Sequence, residues 1–246
     1  MLRSMEAAGS SGKGRDRETC TAAFSVSAVH AAVAEGVGSF SGGAAAARIA
    51  VDVIPAMVSS LVPERHSGAD PADARAASTR HVRMAIRHAS GCIAEESSRD
   101  AQHRGMSATL AACFLLGGAL VVGHAGSSRV YRVREGELTR VTADHGFTVF
   151  SAWRAPSTYS VTTAVTRALG IRGHAEADVA IAEALPGDRL ILATRGVYNV
   201  LPEVDLLRVV NEHPTNVQRA AEQIMAAVAA WPEAEDDRTC VVASLR

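Results

Sequence analysis

The chain has 246 residues, a formal net charge of -1 (25 Lys and Arg against 26 Asp and Glu) and a hydrophobic fraction of 48%. This length is sufficient for a sizeable core, and the balanced charge gives no global reason to expect binding to nucleic acid or to an anionic membrane. The first residues lack the apolar middle of a signal peptide, and no apolar run approaches the ~18 residues of a transmembrane helix. A cytoplasmic protein is therefore expected.

The N-terminal residues 1–14 are rich in Gly and Ser and polar, which predicts disorder. Residues 15–246 contain no internal repeat or convincing linker, so we expect a single domain there. The four cysteines lie far apart and form no Cys-x-x-Cys pair, which favours reduced, mostly buried thiols.

The first ordered part of the domain is predicted as two short strands over residues 22–26 and 29–34. A glycine-dense turn over residues 35–43 then opens a helix. Ser41 is a plausible N-cap, and Pro55 is expected to kink that helix or end its regular part.

A second helix is predicted over residues 72–99, because Val82, Ile86 and Ile93 recur at helical spacing. His81 and His88 lie on this helix, seven residues apart. Since no Cys or carboxylate completes a metal site beside them, solvent-facing histidines are the preferred interpretation.

The centre of the chain is predicted to be an antiparallel hairpin. Apolar runs over residues 110–116 and 119–122 meet at Gly117 and Gly118, a dipeptide suited to the positive φ angles of a tight turn. Both runs are nearly continuous in apolar character, so these strands should be covered on both faces.

The C-terminal half is predicted to alternate between strands and helices. We interpret residues 142–156 as a loop and residues 158–169 as an apolar, β-branched segment. The further predicted elements are strands over 178–182, 189–193 and 239–245 and helices near 202–210 and 216–230.

This order of elements predicts the fold class. Helices that come in pairs, rather than alternating singly with strands, argue against a Rossmann fold or a barrel. The expected class is α+β, with two central antiparallel sheets flanked by helix pairs in a four-layer α/β/β/α sandwich.

Seven short motifs cover residues 33–39, 105–109, 126–129, 166–170, 186–188, 194–197 and 236–239. Their order and spacing give the chain a resemblance to the metal-dependent PPM family, the type 2C serine/threonine protein phosphatases. The Thr-Arg-Ala-Leu-Gly motif of that family is present without change, whereas its Ser-Asp-Gly-Leu reads Thr-Arg-Gly-Val here.

The resemblance implies two dications, usually Mn²⁺ or Mg²⁺, bridged by a water that attacks a phosphoserine or phosphothreonine. Glu35 corresponds to the bridging Asp of the family, Gly36 to its backbone carbonyl ligand, and Asp236 to a retained Asp ligand. Asp237 is a further possible ligand. The positions that have changed are Arg195, Ser127 and Thr19, each in place of an Asp, and the phosphate-binding Arg corresponds to Arg15 or a near neighbour.

Arg195 is the change with the largest electrostatic effect. A dication and a guanidinium about 5 Å apart repel by roughly 6–7 kcal/mol at an effective dielectric of ~20, or nearly five decades of metal affinity. We therefore expect a metal-free cluster in which Arg195 pairs with Glu35 and Asp236.

The leading hypothesis is a pseudophosphatase that binds a phosphoprotein, a kinase or another signalling protein, and that is monomeric. The alternative is an active Mn²⁺- or Mg²⁺-dependent phosphatase whose metals are held by Glu35, Gly36 and Asp236. A structural salt bridge without a site, or unrelated chemistry on the same fold, also remains open. Neither a Gly-x-Ser-x-Gly elbow nor a Walker loop is present in the sequence.

Overall fold

The computed structural model describes residues 2–15, 18–37, 40–61, 71–152, 159–171, 176–231 and 234–246. The elements in chain order are β1 (Met5–Gly12), β2 (Ala22–Val26), β3 (His30–Val37), α1 (Phe40–Leu61), α2 (Pro71–Arg99), β4 (Ser107–Leu116), β5 (Ala119–Ala125), β6 (Arg129–Arg134), β7 (Glu137–Arg140), β8 (Gly146–Ala152), β9 (Tyr159–Val165), β10 (Asp178–Ala182), β11 (Arg189–Ala193), α3 (Arg195–Tyr198), α4 (Glu203–Glu212), α5 (Val217–Ala229) and β12 (Arg238–Leu245).

Two five-stranded sheets form the centre of the molecule. The first has the strand order β10-β5-β4-β3-β2 and the second the order β1-β12-β11-β6-β7, while β8 and β9 form a separate hairpin. Helices α1 and α2 pack on the first sheet, and α4 and α5 pack on the second. A third apolar cluster lies between the two sheets. The predicted four-layer α+β sandwich is confirmed.

The central hairpin, β4 and β5, has the predicted structure. All ten residues of β4 are buried, because the helices cover one face of the strand and the second sheet covers the other. Gly117 and Gly118 have φ angles of 58° and 80°, a left-handed conformation that side chains with a Cβ rarely adopt.

Helix α1 begins at Phe40, one residue before the expected cap Ser41, and continues past Pro55 to Leu61. Among the described helices, only its segment Gly42–Leu61 is long and apolar enough to cross a membrane by length and composition. The inner face of α1, including Ala50 and Ile54, is fully buried against the first sheet.

The prediction of disorder for residues 1–14 was wrong. Residues 5–12 form strand β1, which pairs antiparallel with β12 from Met5 opposite Leu245 to Gly12 opposite Arg238. Met5 and Ala8 are buried, so the few apolar residues of this polar segment face the core. Residues 5–12 are ordered because they hydrogen-bond to a strand more than 200 residues away, which their local composition does not indicate.

The predicted loop over residues 142–156 was also wrong in part. Strand β8 pairs with β9 from Gly146 opposite Val165 to Ala152 opposite Tyr159. The β8 sequence contains Phe147, Val149 and Phe150, residue types that favour strands. Residues 153–156 of that prediction lie outside the described residues.

Candidate functional site

The site is assembled where strands of the two sheets end on the same side of the molecule. Glu35 and Gly36 lie near the end of β3 in the first sheet, and Asp236 precedes β12 in the second. Arg195 follows β11 and is the first residue of the short helix α3. The two sheets therefore bring together three segments that the sequence places far apart.

Close backbone approaches hold these segments in position. A Cβ on Gly36 would lie 2.3 Å from the carbonyl oxygen of Gly43 in α1, and a Cβ on Gly196 would lie 2.2 Å from that of Asp237. Such distances exclude any side chain without a shift of the backbone. The Gly36 N–H also donates to the Thr21 carbonyl over 2.8 Å.

Arg195 contacts both predicted partners. Its Nε lies 3.4 Å from Oδ2 of Asp236, and both side chains are 31% exposed. Its backbone N–H donates to Oε2 of Glu35 over 3.2 Å. Nε is buried and makes no hydrogen bond of good geometry, so the contact with Asp236 is an ion pair rather than a hydrogen bond through this atom.

Burial raises the pKa of Glu35 to about 7. The Arg195 charge opposes this shift, whereas the Asp236 and Asp237 carboxylates add to it. A carboxyl with this pKa is only partly ionised at neutral pH. Glu35 therefore offers a dication less negative charge than an ordinary carboxylate.

These residues do not fit a pair of dications. The Arg195 guanidinium lies beside Asp236 at the position of a family ligand, and repulsion from it weakens the binding of any cation there. Hard cations of this kind require several oxygen ligands. Of the positions that the resemblance identifies, Glu35 and Asp236 carry a carboxylate beside the further possible ligand Asp237, whereas Arg195, Ser127 and Thr19 do not.

Asp237, the further possible ligand, is hydrogen-bonded to the N-terminal part of the chain. Its carboxylate accepts hydrogen bonds from the Gly14 N–H, the Thr21 N–H and the Thr21 hydroxyl, at 2.8, 2.8 and 2.5 Å. The residue is 1% exposed. With three donors already bound, this carboxylate anchors the segment between β1 and β2.

The turn that contains Ser127 lies beside the site. The Ser127 carbonyl accepts a hydrogen bond from the Tyr198 hydroxyl over 2.7 Å, and Ser128 Oγ lies 2.7 Å from Thr109 Oγ1. Thr109 Oγ1 in turn donates to the carbonyl of Glu35 over 3.4 Å. These contacts place the turn next to Glu35, with Ser127 where the resemblance implies an acid.

Arg15 and Thr19 are both exposed, between β1 and β2. Gly14, the residue before Arg15, packs against the backbone of Glu235 and Asp236. This places the start of the N-terminal motif beside the site, while Asp16 and Arg17 of that motif lie outside the described residues. Gly38 and Ser39 of the glycine-rich turn also lie outside them.

One group of polar residues was missed by the sequence reasoning. His124, His145 and Asp178 lie together at the side of the Gly126 turn. The sequence did not indicate that Asp178 pairs with His124 across the sheet, because β5 ends at Ala125 and β10 begins only at Asp178. His88, considered earlier, is exposed and lies 3.8 Å from the Cys92 sulfur.

Two antiparallel sheets stack between helix pairs, and acidic residues at the strand ends meet Arg195. These features define a domain of the metal-dependent serine/threonine phosphatase class. The family model described as Protein phosphatase 2C matches residues 15–236. The chain belongs to this family.

Curated relatives match about half of the chain. The serine/threonine protein phosphatase PstP of Mycobacterium tuberculosis is 31% identical over 130 residues, which cover 50% of this chain and 25% of PstP. The serine/threonine phosphatase stp of Listeria monocytogenes is 26% identical over 123 residues, covering 47% of this chain and 48% of stp. The matched region thus spans less than half the length of each relative.

Solved structures match over almost the whole chain. The M. tuberculosis PstP/Ppp structure has a TM-score of 0.79 at 24% identity, covering 98% of this chain and 99% of that one. PppA of Pseudomonas aeruginosa has a TM-score of 0.78 at 21% identity, covering 100% and 99%. The PstP catalytic domain in complex with two manganese ions has a TM-score of 0.74 at 25% identity, covering 98% of both chains.

Proposed function

We propose that this serine/threonine phosphatase domain is a pseudophosphatase, which binds phosphorylated protein without hydrolysing it. The observation that carries the proposal is the Arg195 guanidinium, 3.4 Å from Asp236 in place of an acidic ligand. Hydrolysis in this family depends on dications that lower the pKa of a water, and Arg195 weakens the binding of such cations.

The same guanidinium supports phosphate binding. Arginine presents planar N–H donors that suit phosphoryl oxygens, and hydrogen bonds between charged partners are about twice as strong as neutral ones. The Arg195 side chain is 31% exposed, so a ligand can reach part of it. Arg15, beside the same region, is a second candidate donor to the phosphoryl group.

We propose that the domain is monomeric and that its partner is a cytoplasmic phosphoprotein, kinase or other signalling protein. The relatives PstP and stp are named as serine/threonine phosphatases, which supports phosphoserine and phosphothreonine as the groups recognised. No metal is required in this scheme.

Binding can be tested by fluorescence anisotropy with a phosphothreonine peptide and its unphosphorylated form. We expect the phosphopeptide to bind more tightly, and Arg195→Ala to reduce this preference at least tenfold. Arg208→Ala is the matched control, because Arg208 forms its ion pairs on the exposed face of α4. Equal binding of both peptides would contradict the proposal.

The second candidate is an active Mn²⁺- or Mg²⁺-dependent phosphatase with an altered metal site. It is favoured by the retained acids Glu35 and Asp236 beside Gly36, and by the manganese complex of PstP. Incubating the protein with millimolar Mn²⁺ and a phosphopeptide discriminates between the two. Phosphate release above a metal-free control would support the active enzyme and reject the pseudophosphatase.

A further inference from the structure

A second polar cluster lies beside the Gly126 turn. Asp178, the first residue of β10, pairs across the sheet with His124 near the end of β5. Both the backbone and the side chain of His145 are hydrogen-bonded to Gly126. The His145 N–H donates to the Gly126 carbonyl over 2.8 Å, and His145 Nδ1 accepts from the Gly126 N–H over 3.2 Å. Three potential ligand residues are thereby held by regular secondary structure and one tight turn.

The potential ligand atoms are close together. One such atom from each of His124, His145 and Asp178 lies within 4.8 Å of the other two. The imidazole ring centroids are 4.6 Å apart, and His145 Nε2 lies 3.0 Å from Asp178 Oδ2. Ligand atoms of a tetrahedral zinc site are about 3.4 Å apart, so a small side-chain movement closes the set.

His124 is prepared for coordination. It is 2% exposed, and its Nε2 is buried without a hydrogen-bond partner. Burial lowers the pKa of His124 to about 4, so the ring is neutral at physiological pH and Nε2 keeps its lone pair. The Ser128 backbone beside the ring opposes the lowering of its pKa.

We propose that His124, His145 and Asp178 form a binding site for a borderline divalent cation of the Zn²⁺ type, separate from the region of Glu35 and Asp236. Two imidazoles and one carboxylate are a ligand set suited to Zn²⁺. A groove of about 460 Å³ is lined by His124 and Asp178 and connects this side of the cluster with solvent.

Coordination requires the other neutral tautomer of His145. Because Nδ1 of His145 accepts from Gly126, Nε2 carries the ring proton and donates to Asp178. To bind a metal through Nε2, the ring must carry this proton on Nδ1 instead, so the ring stays neutral and no proton is released. The 3.2 Å bond from the Gly126 N–H to Nδ1 is then given up. Oδ1 of Asp178 lies 3.2 Å from Nη1 of Arg167, which leaves Oδ2 for the metal. The Arg167 guanidinium also repels a dication, but its side chain is 42% exposed, so it can turn into solvent, which screens its charge.

The test uses the full chain, freed of metal, and Zn²⁺ or Co²⁺ alone as the ligand. Calorimetry with Zn²⁺ should give one site, and Co²⁺ should give the intense visible absorption of a four-coordinate ion. We expect Asp178→Asn to weaken Zn²⁺ binding at least tenfold and His124→Ala to abolish it. Asp178 has a side chain 64% exposed, so this variant is expected to fold even if the buried histidine variant does not.

Two controls separate this site from others. His88→Ala removes the exposed pair of His88 and Cys92, and Asp236→Asn alters the region of Arg195; both should keep Zn²⁺ affinity within twofold. Unchanged binding in Asp178→Asn, loss of binding in either control, or no uptake of Zn²⁺ at 100-fold excess would overturn the proposal.

Discussion

The charge of the phosphatase site is set by one guanidinium and two carboxyl groups. Arg195 contacts Asp236 through its side chain and Glu35 through its backbone N–H. Glu35 is almost completely buried, and its raised pKa follows from that burial. The Arg195 charge thus affects both the net charge of this region and the protonation of Glu35.

Arg195→Asp should restore cation binding. The substitution removes a repulsion of roughly 6–7 kcal/mol at about 5 Å and an effective dielectric of ~20, and it adds a carboxylate. We expect the Mn²⁺ affinity measured by calorimetry to rise at least a hundredfold. Arg208→Asp, which changes the same charge on the exposed face of α4, should leave it unchanged. Equal affinities in the wild type and Arg195→Asp would show that the guanidinium does not limit metal binding.

His124 should make the fold sensitive to acid. Its pKa is lowered to about 4 in the folded state by burial, against about 6.5 in an unfolded chain. Between these values the unfolded chain binds a proton that the folded chain does not, so stability falls as the pH decreases from 6.5 to 4. The loss is at most about 3 kcal/mol.

The prediction is checked by measuring the free energy of unfolding in urea as a function of pH. A chelator is present so that no metal binds to His124. His124→Phe should lack this part of the acid destabilisation, so the wild type should lose stability relative to the variant as the pH falls. His88→Phe on the exposed face of α2 is the control. Parallel pH profiles for the wild type and His124→Phe would contradict the prediction.

At the scale of elements, the packing of α2 on the first sheet depends on Gly123 of β5. A Cβ on Gly123 of β5 would lie 2.8 Å from Cδ1 of Ile86 and 3.2 Å from Cγ1 of Val82. Both side chains belong to the buried face of α2. Gly91, in contrast, lies in the same helix with nothing within 4 Å of its Cβ position.

These two glycines predict opposite effects of alanine. Gly123→Ala should destabilise the protein by about 1–3 kcal/mol, because the buried side chains of Ile86 and Val82 must shift to admit the added methyl group. Gly91→Ala should stabilise it by up to about 1 kcal/mol, because glycine is a poor helix former and the site is open. Urea unfolding of the two variants checks both signs, and the same sign in both would contradict this account of the packing.

At the scale of the whole molecule, Asp237 connects the two ends of the chain. It binds Gly14 and Thr21 from the N-terminal part and stands directly before β12, the strand that pairs with β1. The second sheet thus contains both the first and the last strand. Its closure depends on contacts between residues more than 200 positions apart.

Asp237→Ala should cost about 3 kcal/mol or more of folding stability. The substitution leaves the buried N–H groups of Gly14 and Thr21 without an acceptor, and each such group costs roughly 1–3 kcal/mol. Asp236→Ala is the matched control, since that neighbouring side chain is 31% exposed and should cost much less. Thermal unfolding of both variants measures the difference. Equal losses would show that Asp237 does not anchor the N-terminal segment.

The local part of the fold could be predicted from the sequence. Val82, Ile86 and Ile93 recur at helical spacing and are buried as expected, and Gly117-Gly118 forms the predicted turn. The replacement of an acidic residue by Arg195 was also readable, because it interrupts a motif. Signals of this kind lie within a few residues of one another.

The non-local part could not be predicted. The composition of residues 5–12 indicates disorder, yet pairing with β12 supplies their hydrogen bonds. The family motif suggests Asp237 as a possible ligand, yet three donors from the N-terminal segment occupy it.

The sequence by itself determined the four longer helices, the central hairpin and the cation at position 195, because periodicity, turn residues and motif residues are local properties. The order of these elements along the chain indicated the four layers. Only the tertiary structure decided that β1 closes the second sheet, that Asp237 anchors the N-terminal segment, and that His124, His145 and Asp178 meet. The physical reason is that burial and hydrogen bonding between distant segments depend on which strands pair, and pairing is a property of the folded chain.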